Sequence, residues 1–362
     1  MFERLKQRIS FFLANISRVL LLVGMVSASC PLFAQSEPNI DVVLYDTDTG
    51  LPNNHVFQSF EDSRGSIWLI DERGLVFFDG VNFNTILNLP STSQSCSTRI
   101  CFEDMQGNLW IRIQGLFEVQ YKFINIYTNA VKEGLPQPFD GVKGPVFDLA
   151  LGPDQSLLIC DEAGGLWQIN SKGESKLIYA CDSKKFLFCN SVNNAKFIWI
   201  SPQDSIGIAP VFTAVNYTGL SCRFVSPDIT HVSLPARDGA IWSVGHSSFA
   251  RLEPFKTAEY KRIDTVVKGY IPDESWKVNG IGIDTEKEII WMFNPGGLIL
   301  WHPSKGLTYH FLHFQGLVMP KLAFQVLIDK NHQAWVATIG GLFKVSVSPS
   351  KFRKIIWKDP KV

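Results

Sequence analysis

FEDSRGSIWLIDERGLVFFDG, Phe60 to Gly80, is the stretch whose reading decides the fold, because the rest of the chain repeats it. Asp62-Ser63-Arg64-Gly65 supplies an Asp to cap a type I turn and a Gly for the left-handed position after it. Ile67 to Ile70 is a short continuous apolar run, as in a strand buried on both faces. Gly74 breaks that run, and Leu75 to Phe78 begins the next strand, which stops at Asp79-Gly80. The stretch reads as three strands of one small antiparallel sheet.

The pattern returns six times. The copies read FEDMQGNLWIRIQGLFEV around Trp110, LGPDQSLLICDEAGGLWQI around Leu157, VNNAKFIWISPQDSIGI around Trp199, PARDGAIWSVGHSSFARL around Trp242, IDTEKEIIWMFNPGGLIL around Trp291 and IDKNHQAWVATIGGLFKV around Trp335. With Trp68 the anchors are separated by 42, 47, 42, 43, 49 and 44 residues. A unit of that size with four strand-sized segments is the signature of a propeller blade. Random scatter does not place six of ten tryptophans in one phase. The spacing predicts an all-β chain, a seven-bladed β-propeller of four-stranded antiparallel blades, whose anchors Trp68, Trp110, Leu157, Trp199, Trp242, Trp291 and Trp335 pack between blades.

Composition agrees. Charged residues are 19% of the 362 and formal net charge is zero, which favours neither nucleic acid nor an anionic membrane surface as partner. Aromatic content of 12% with 27 glycines suits many short strands and tight turns.

Residues 1–34 read as an export signal. Arg4, Lys6, Arg8 and Arg18 precede the apolar run Val19 to Val26, and Leu32-Phe33-Ala34 before Gln35 suits cleavage after Ala34. The apolar core is short for a membrane anchor, and Ser27-Ala28-Ser29 is a poor lead into an acylated Cys30. The propeller then occupies 35–350, and 351–362 is a last outer strand or the start of a connector. Val42 to Tyr45 and Phe352 to Trp357 compete for the outermost place in the last blade; the N-terminal strand is favoured as the clasp that removes the exposed edges.

Gly50-Leu51-Pro52-Asn53-Asn54 with Val56, then Glu61 through Trp68, then Gly74-Leu75 before Phe78-Asp79-Gly80, resembles the two-component regulator propeller repeat, strongest in blades one, two and seven. That family builds the periplasmic sensor region of hybrid histidine kinases of Bacteroidetes. It usually carries Gly-Thr shortly after the Trp, where this chain has Ile70-Asp71, Arg112-Ile113 and Ala337-Thr338. The resemblance implies a periplasmic module sensing oligosaccharides, coupled to downstream sensor-kinase domains or a separate kinase chain. With no kinase in these residues, it implies a truncated, split or stand-alone sensor. A homodimer is compatible with this reading.

No catalytic constellation is recognisable. The seven histidines are dispersed, His310 and His313 point to opposite faces of an extended strand, and nucleophile elbow, metalloprotease helix and phosphate loop are absent. No enzyme activity, cofactor or metal is expected. The alternatives are an envelope propeller that binds proteins and an exported propeller glycosidase or lyase. Cys160 reads as a buried thiol, and Cys96 can bridge Cys101 only if the loop before blade two bends back. A ligand site belongs on the face where outer-to-inner connections and second-to-third-strand turns meet. There Arg73, Arg99, Arg112 and His246 are candidate donors, and Trp276, flanked by Asp273, Glu274 and Lys277, is a candidate sugar platform.

Overall fold

Each repeat folds as a meander, because every polar turn returns the chain against the strand it has just left. The computed structural model describes residues 39–89, 98–114, 119–135, 139–142, 144–152, 155–180, 186–188, 197–202, 211–225, 231–236, 238–245, 248–258, 261–262, 280–294, 297–302, 306–311 and 323–348. Among them lie seven four-stranded sheets, six of which pair their strands in sequence order. In blade 1 the strands are Val56–Glu61, Ile67–Asp71, Gly74–Phe78 and Phe83–Asn88, from inner to outer. The inner strands of blades 2 to 7 are Arg99–Glu103, Val146–Leu151, Phe186–Phe188, His231–Pro235, Gly280–Asp284 and Ala323–Ile328. The fold is an all-β propeller with one short 3-10 turn, Thr47–Thr49, among the described residues.

The last sheet contains the clasp. Asn39–Tyr45 is its outermost strand and lies beside Gly341–Ser348, as expected for the N-terminal strand. Gly341 (φ +125°) lets the two backbones meet, since a Cβ there would lie 2.4 Å from the Tyr45 carbonyl oxygen. Residues Ile40–Ser346 form one compact unit; the remainder, Met1–Asn39 and Val347–Val362, is a second unit almost wholly outside the described residues. The export signal and the competing strand Phe352 to Trp357 fall there.

Apolar side chains from each sheet pack on the next. Trp68, Ile70 and Leu75 of blade 1 cluster with Ile100, Leu109 and Ile111 of blade 2, and Trp335 and Leu342 of blade 7 cluster with Leu69 and Val76 of blade 1. Trp199 and Trp242 make the corresponding contacts with blades 5 and 6. Between blades 6 and 7 the inner strands approach closely enough that a Cβ on Gly282 would meet Val326 at 2.6 Å. A buried aromatic ring removes roughly 200 Å² from water, about 5 kcal/mol of transfer free energy, so the indoles are principal contributors to the seams they enter.

Blade 3 corrects one expectation. Gly152 N–H donates to Ser156 O just as Asp62 N–H donates to Ser66 O, and Leu157 pairs Leu151 as Ile67 pairs Glu61. The residue in the register of Trp68 is therefore Leu158, which packs toward blade 4, whereas Leu157 packs toward blade 2. Two adjacent leucines hid a one-residue offset, which reverses the side-chain face.

The indoles of blades 1, 2 and 7 share a further device. Trp68, Trp110 and Trp335 each donate Nε1–H to an aspartate six residues earlier, Asp62, Asp104 and Asp329, at 3.0, 2.9 and 2.9 Å. The other carboxylate oxygen of each accepts two turn amides, those of Arg64 and Ser66, Gln106 and Asn108, and Asn331 and Gln333. One side chain thus caps the turn and satisfies a buried donor. The glutamate before it joins blades: Glu61 accepts from Lys330 N–H of blade 7, and Glu103 accepts from Ser63 N–H and Oγ–H of blade 1.

Candidate ligand-binding site at the channel mouth

The inner strands of blades 7, 1, 2 and 3 each break register near their start, between Ala323 and Gln325, Val56 and Gln58, Ile100 and Phe102, and Val146 and Asp148. The extra residue in each is Phe324, Phe57, Cys101 or Phe147. A bulge re-aims a side chain and raises local twist, and bulges concentrate at barrel rims and next to functional sites. Phe57 and Phe324 meet edge to face, with centroids 5.1 Å apart, and Phe324 keeps 37% of its surface exposed. Two adjacent blades therefore offer an aromatic pair beside the axis.

Polar side chains tie the free edges of the same strands. Gln58 receives Ile100 N–H on its Oε1 (2.7 Å) and donates Nε2–H to Ile100 O (3.0 Å). Gln325 Oε1 accepts from Ser59 N–H at 2.7 Å. In this way the inner edges, open by construction, are satisfied by the neighbouring blade. Between blades 2 and 3 the tie is ionic. Arg99 pairs with Asp148, whose side chain is fully buried. Arg112, 2% exposed, donates Nε–H to Phe147 O at 2.8 Å and lays its guanidinium over the Phe147 ring at 4.9 Å. Burial opposes the charge on Arg99, but the Asp148 carboxylate more than offsets it and holds Arg99 above its usual pKa. Desolvation pushes the Cys101 thiol up to about 11 and raises Tyr121 as well.

The candidate donors thus part company. Arg99 and Arg112 are brought together as direct partners across the first two strands of blade 2, but as struts to blade 3. Arg73 is exposed in the turn of blade 1, where Asp71 Oδ1 accepts the amides of Arg73 and Gly74, each at 2.8 Å. Beside it Glu72 accepts from Asn53 Nδ2 (3.3 Å) and lies 3.5 Å from His55 Nδ1. His246 and Trp276 lie outside the described residues. Sequence reasoning missed Phe57, Phe324 and Asp148. Their signal was present: Val56-Phe57-Gln58, Val146-Phe147-Asp148 and Ala323-Phe324-Gln325 repeat an apolar residue, a Phe and a side-chain amide or carboxylate at the start of three inner strands. Cys101 and Cys160 are free thiols, and Cys96 lies outside the described residues. Among the described residues no group of His, Cys, Asp and Glu is placed to hold a metal ion, and no helix is long and apolar enough to cross a membrane.

This architecture has many solved counterparts. A streptogramin B lyase aligns over 87% of this chain and 99% of its own at TM-score 0.58 and 12% identity. An extracellular domain assigned to a hybrid two-component system of B. thetaiotaomicron aligns over 85% of this chain at TM-score 0.57 and 16% identity. Virginiamycin B lyase from Staphylococcus aureus aligns over 86% of this chain and 99% of its own at TM-score 0.56 and 14% identity. The likeness is one of fold. This chain spans about two fifths of the B. thetaiotaomicron domain, with 42% of it covered. No family model matches the sequence, and no curated protein matches it.

Proposed function

We propose that this chain is the ligand-sensing propeller of an extracytoplasmic two-component sensor, with an oligosaccharide as ligand and a kinase, in the same system but outside these residues, as output. The observation that carries the reading is the arc of blades 7, 1 and 2. There the repeat of the sensor family is spelled out by residues such as Glu61, Asp62, Gly65 and Trp68, and those residues form one hydrogen-bonded device used three times. The fold likeness to extracellular domains of hybrid two-component systems supports it. The basic and apolar leader supports placement outside the cytoplasm. The aromatic pair Phe57 and Phe324, the latter partly exposed, is the surface on which a sugar ring stacks.

Titration calorimetry of the purified chain against an oligosaccharide panel tests this. The expected result is saturable binding that the double variant Phe57→Ala, Phe324→Ala weakens by about tenfold or more while the chain stays folded. Absence of binding across the panel overturns the carbohydrate reading, and release of cleaved product replaces sensing with the exported lyase or glycosidase alternative.

A further inference from the structure

The seam between blades 5 and 6 contains a cavity of about 290 Å³ lined by Ala236, Asp238, Trp242, Arg251, Thr285 and Glu288, among others. The matching place between blades 7 and 1, beside Trp335, holds a cavity of about 210 Å³ with Asp329 in its wall; here that carboxylate is missing. Ala236 stands six residues before Trp242, as Asp62 stands before Trp68, and Ala236 N–H donates to Ala240 O at 2.9 Å just as Asp62 N–H does to Ser66 O. Blade 5 therefore keeps the turn and loses the group that accepts the indole hydrogen. Asp238 has taken over part of the capping role: its Oδ1 accepts the Ala240 amide at 3.3 Å, and its other oxygen is held by Arg251. Trp242 Nε1 has no hydrogen-bond partner among the described residues. By register it points to where Ala236 meets the cavity.

We propose that this cavity binds a single neutral sugar residue, one of whose hydroxyl oxygens occupies the place of the absent aspartate oxygen and accepts from Trp242 Nε1. The size suits a monosaccharide, at the lower end of small-molecule pockets. Charge selects the class. Arg251 is already balanced by Asp238 and Glu253, and the Glu288 carboxylate on the rim repels a ligand carboxylate. An ammonium group has no lone pair with which to accept the indole hydrogen. A hydroxylated neutral ring avoids both conflicts. It accepts from the indole, donates to Glu288 and Asp238, and exchanges hydrogen bonds with the Thr285 hydroxyl. The wall behind is aromatic, with Trp301 standing edge-on to Trp242 at 5.9 Å.

This inference takes its ligand class from the carbohydrate reading above but occupies a different place, so the two can fail separately. The readout is the indole ¹H–¹⁵N signal of Trp242 in the whole chain, assigned by its loss in Trp242→Phe. Methyl glycosides of neutral hexoses, an amino sugar and a uronic acid are titrated in turn. The expected result is a saturable shift with neutral hexosides, weakened about tenfold by the charged sugars. Ala236→Asp restores the self-capping group of blades 1, 2 and 7. It should shift the Trp242 signal without ligand, raise the thermal midpoint and abolish the hexoside response, while oligosaccharide binding sensitive to Phe57 and Phe324 persists. No response to neutral sugars, a stronger response to the amine or the acid, or an unchanged response in Ala236→Asp overturns the proposal.

Discussion

Blades 7, 1 and 2 and blades 4, 5 and 6 share one outline and differ in what satisfies their indoles. In the first arc Trp335, Trp68 and Trp110 each donate to an aspartate of their own turn. In the second, Trp199 borrows Gly239 O from the next blade at 2.9 Å, Trp242 faces a cavity, and Trp291 Nε1 is buried with no partner among the described residues. Trp199 and Trp242 still pack against the neighbouring blade, as the indoles of the first arc do, so the outline depends on apolar contact. The aspartate adds a hydrogen bond worth about 1 kcal/mol net, and more where its loss would strand a buried donor. A ring can forgo that contribution in some blades, and at Ala236 doing so leaves an indole hydrogen facing a cavity.

The sharpest way to break the comparison is at the edge of the first arc. Asp148→Ala removes a fully buried carboxylate and leaves the Arg99 side chain, 31% exposed, without its ionic partner, and should destabilise the chain by about 3 kcal/mol in urea unfolding. Arg251→Ala in blade 5 breaks pairs that are partly solvated and should cost less than about 1 kcal/mol. Equal losses would mean that the arcs do not differ in how much they rely on buried charge.

Asp62→Ala comes next. It removes the indole acceptor and both turn-capping bonds at once from a residue 3% exposed, and about 2–3 kcal/mol is the expected loss. Asp238→Ala touches an exposed turn of the second arc and should stay within about 1 kcal/mol. Gln58→Ala then tests the inner edges. It strands the Ile100 amide and carbonyl between blades 1 and 2, so a loss of about 1–2 kcal/mol is expected. A neutral result there would show that water satisfies these edges equally well.

The arcs also differ in how much of them could be read from the chain. The indole phase is legible because a large side chain at near-constant spacing is a strong signal. Blade 3 slipped by one residue because Leu157 and Leu158 are chemically identical and only the backbone bond from Gly152 to Ser156 fixes which is which. Arg99 and Arg112 look like ligand donors in the sequence because an arginine near the mouth is ambiguous until its partner is known, and Asp148 lies 49 residues from Arg99. The unmet indole of blade 5 depends on an absence. The interval Asp-to-Trp of six residues at Asp62, Asp104 and Asp329 would have exposed Ala236 as the exception, but a missing acceptor attracts notice only once the bond it would have made is visible.

The smallest predicted effect separates two aspartates of one blade by the sign of their pH dependence. Burial pushes the Asp71 pKa up, and the amides of Gly74 and Arg73 only partly oppose this; its Oδ2 is buried with no partner among the described residues. Its folded pKa therefore lies above the unfolded value of about 3.9. The ionised form is penalised on folding, with no penalty below the unfolded pKa and the full penalty above the folded one. Burial also opposes the charge on Asp62, but Arg64, the Trp68 indole and the Ser66 amide outweigh it and hold its pKa below the usual range. Its stabilisation is present above the unfolded pKa and disappears as pH falls through the folded one. Asp71→Asn should thus stabilise the chain at about pH 7 by roughly 1 kcal/mol and have little effect near pH 3. Asp62→Asn should be destabilising at about pH 7, with the deficit shrinking as acid protonates the wild type. Urea midpoints of both variants at the two pH values decide the matter. If Asp71→Asn is the less stable at neutral pH, its unpartnered oxygen is held by an interaction stronger than its burial, and the contrast within blade 1 is lost.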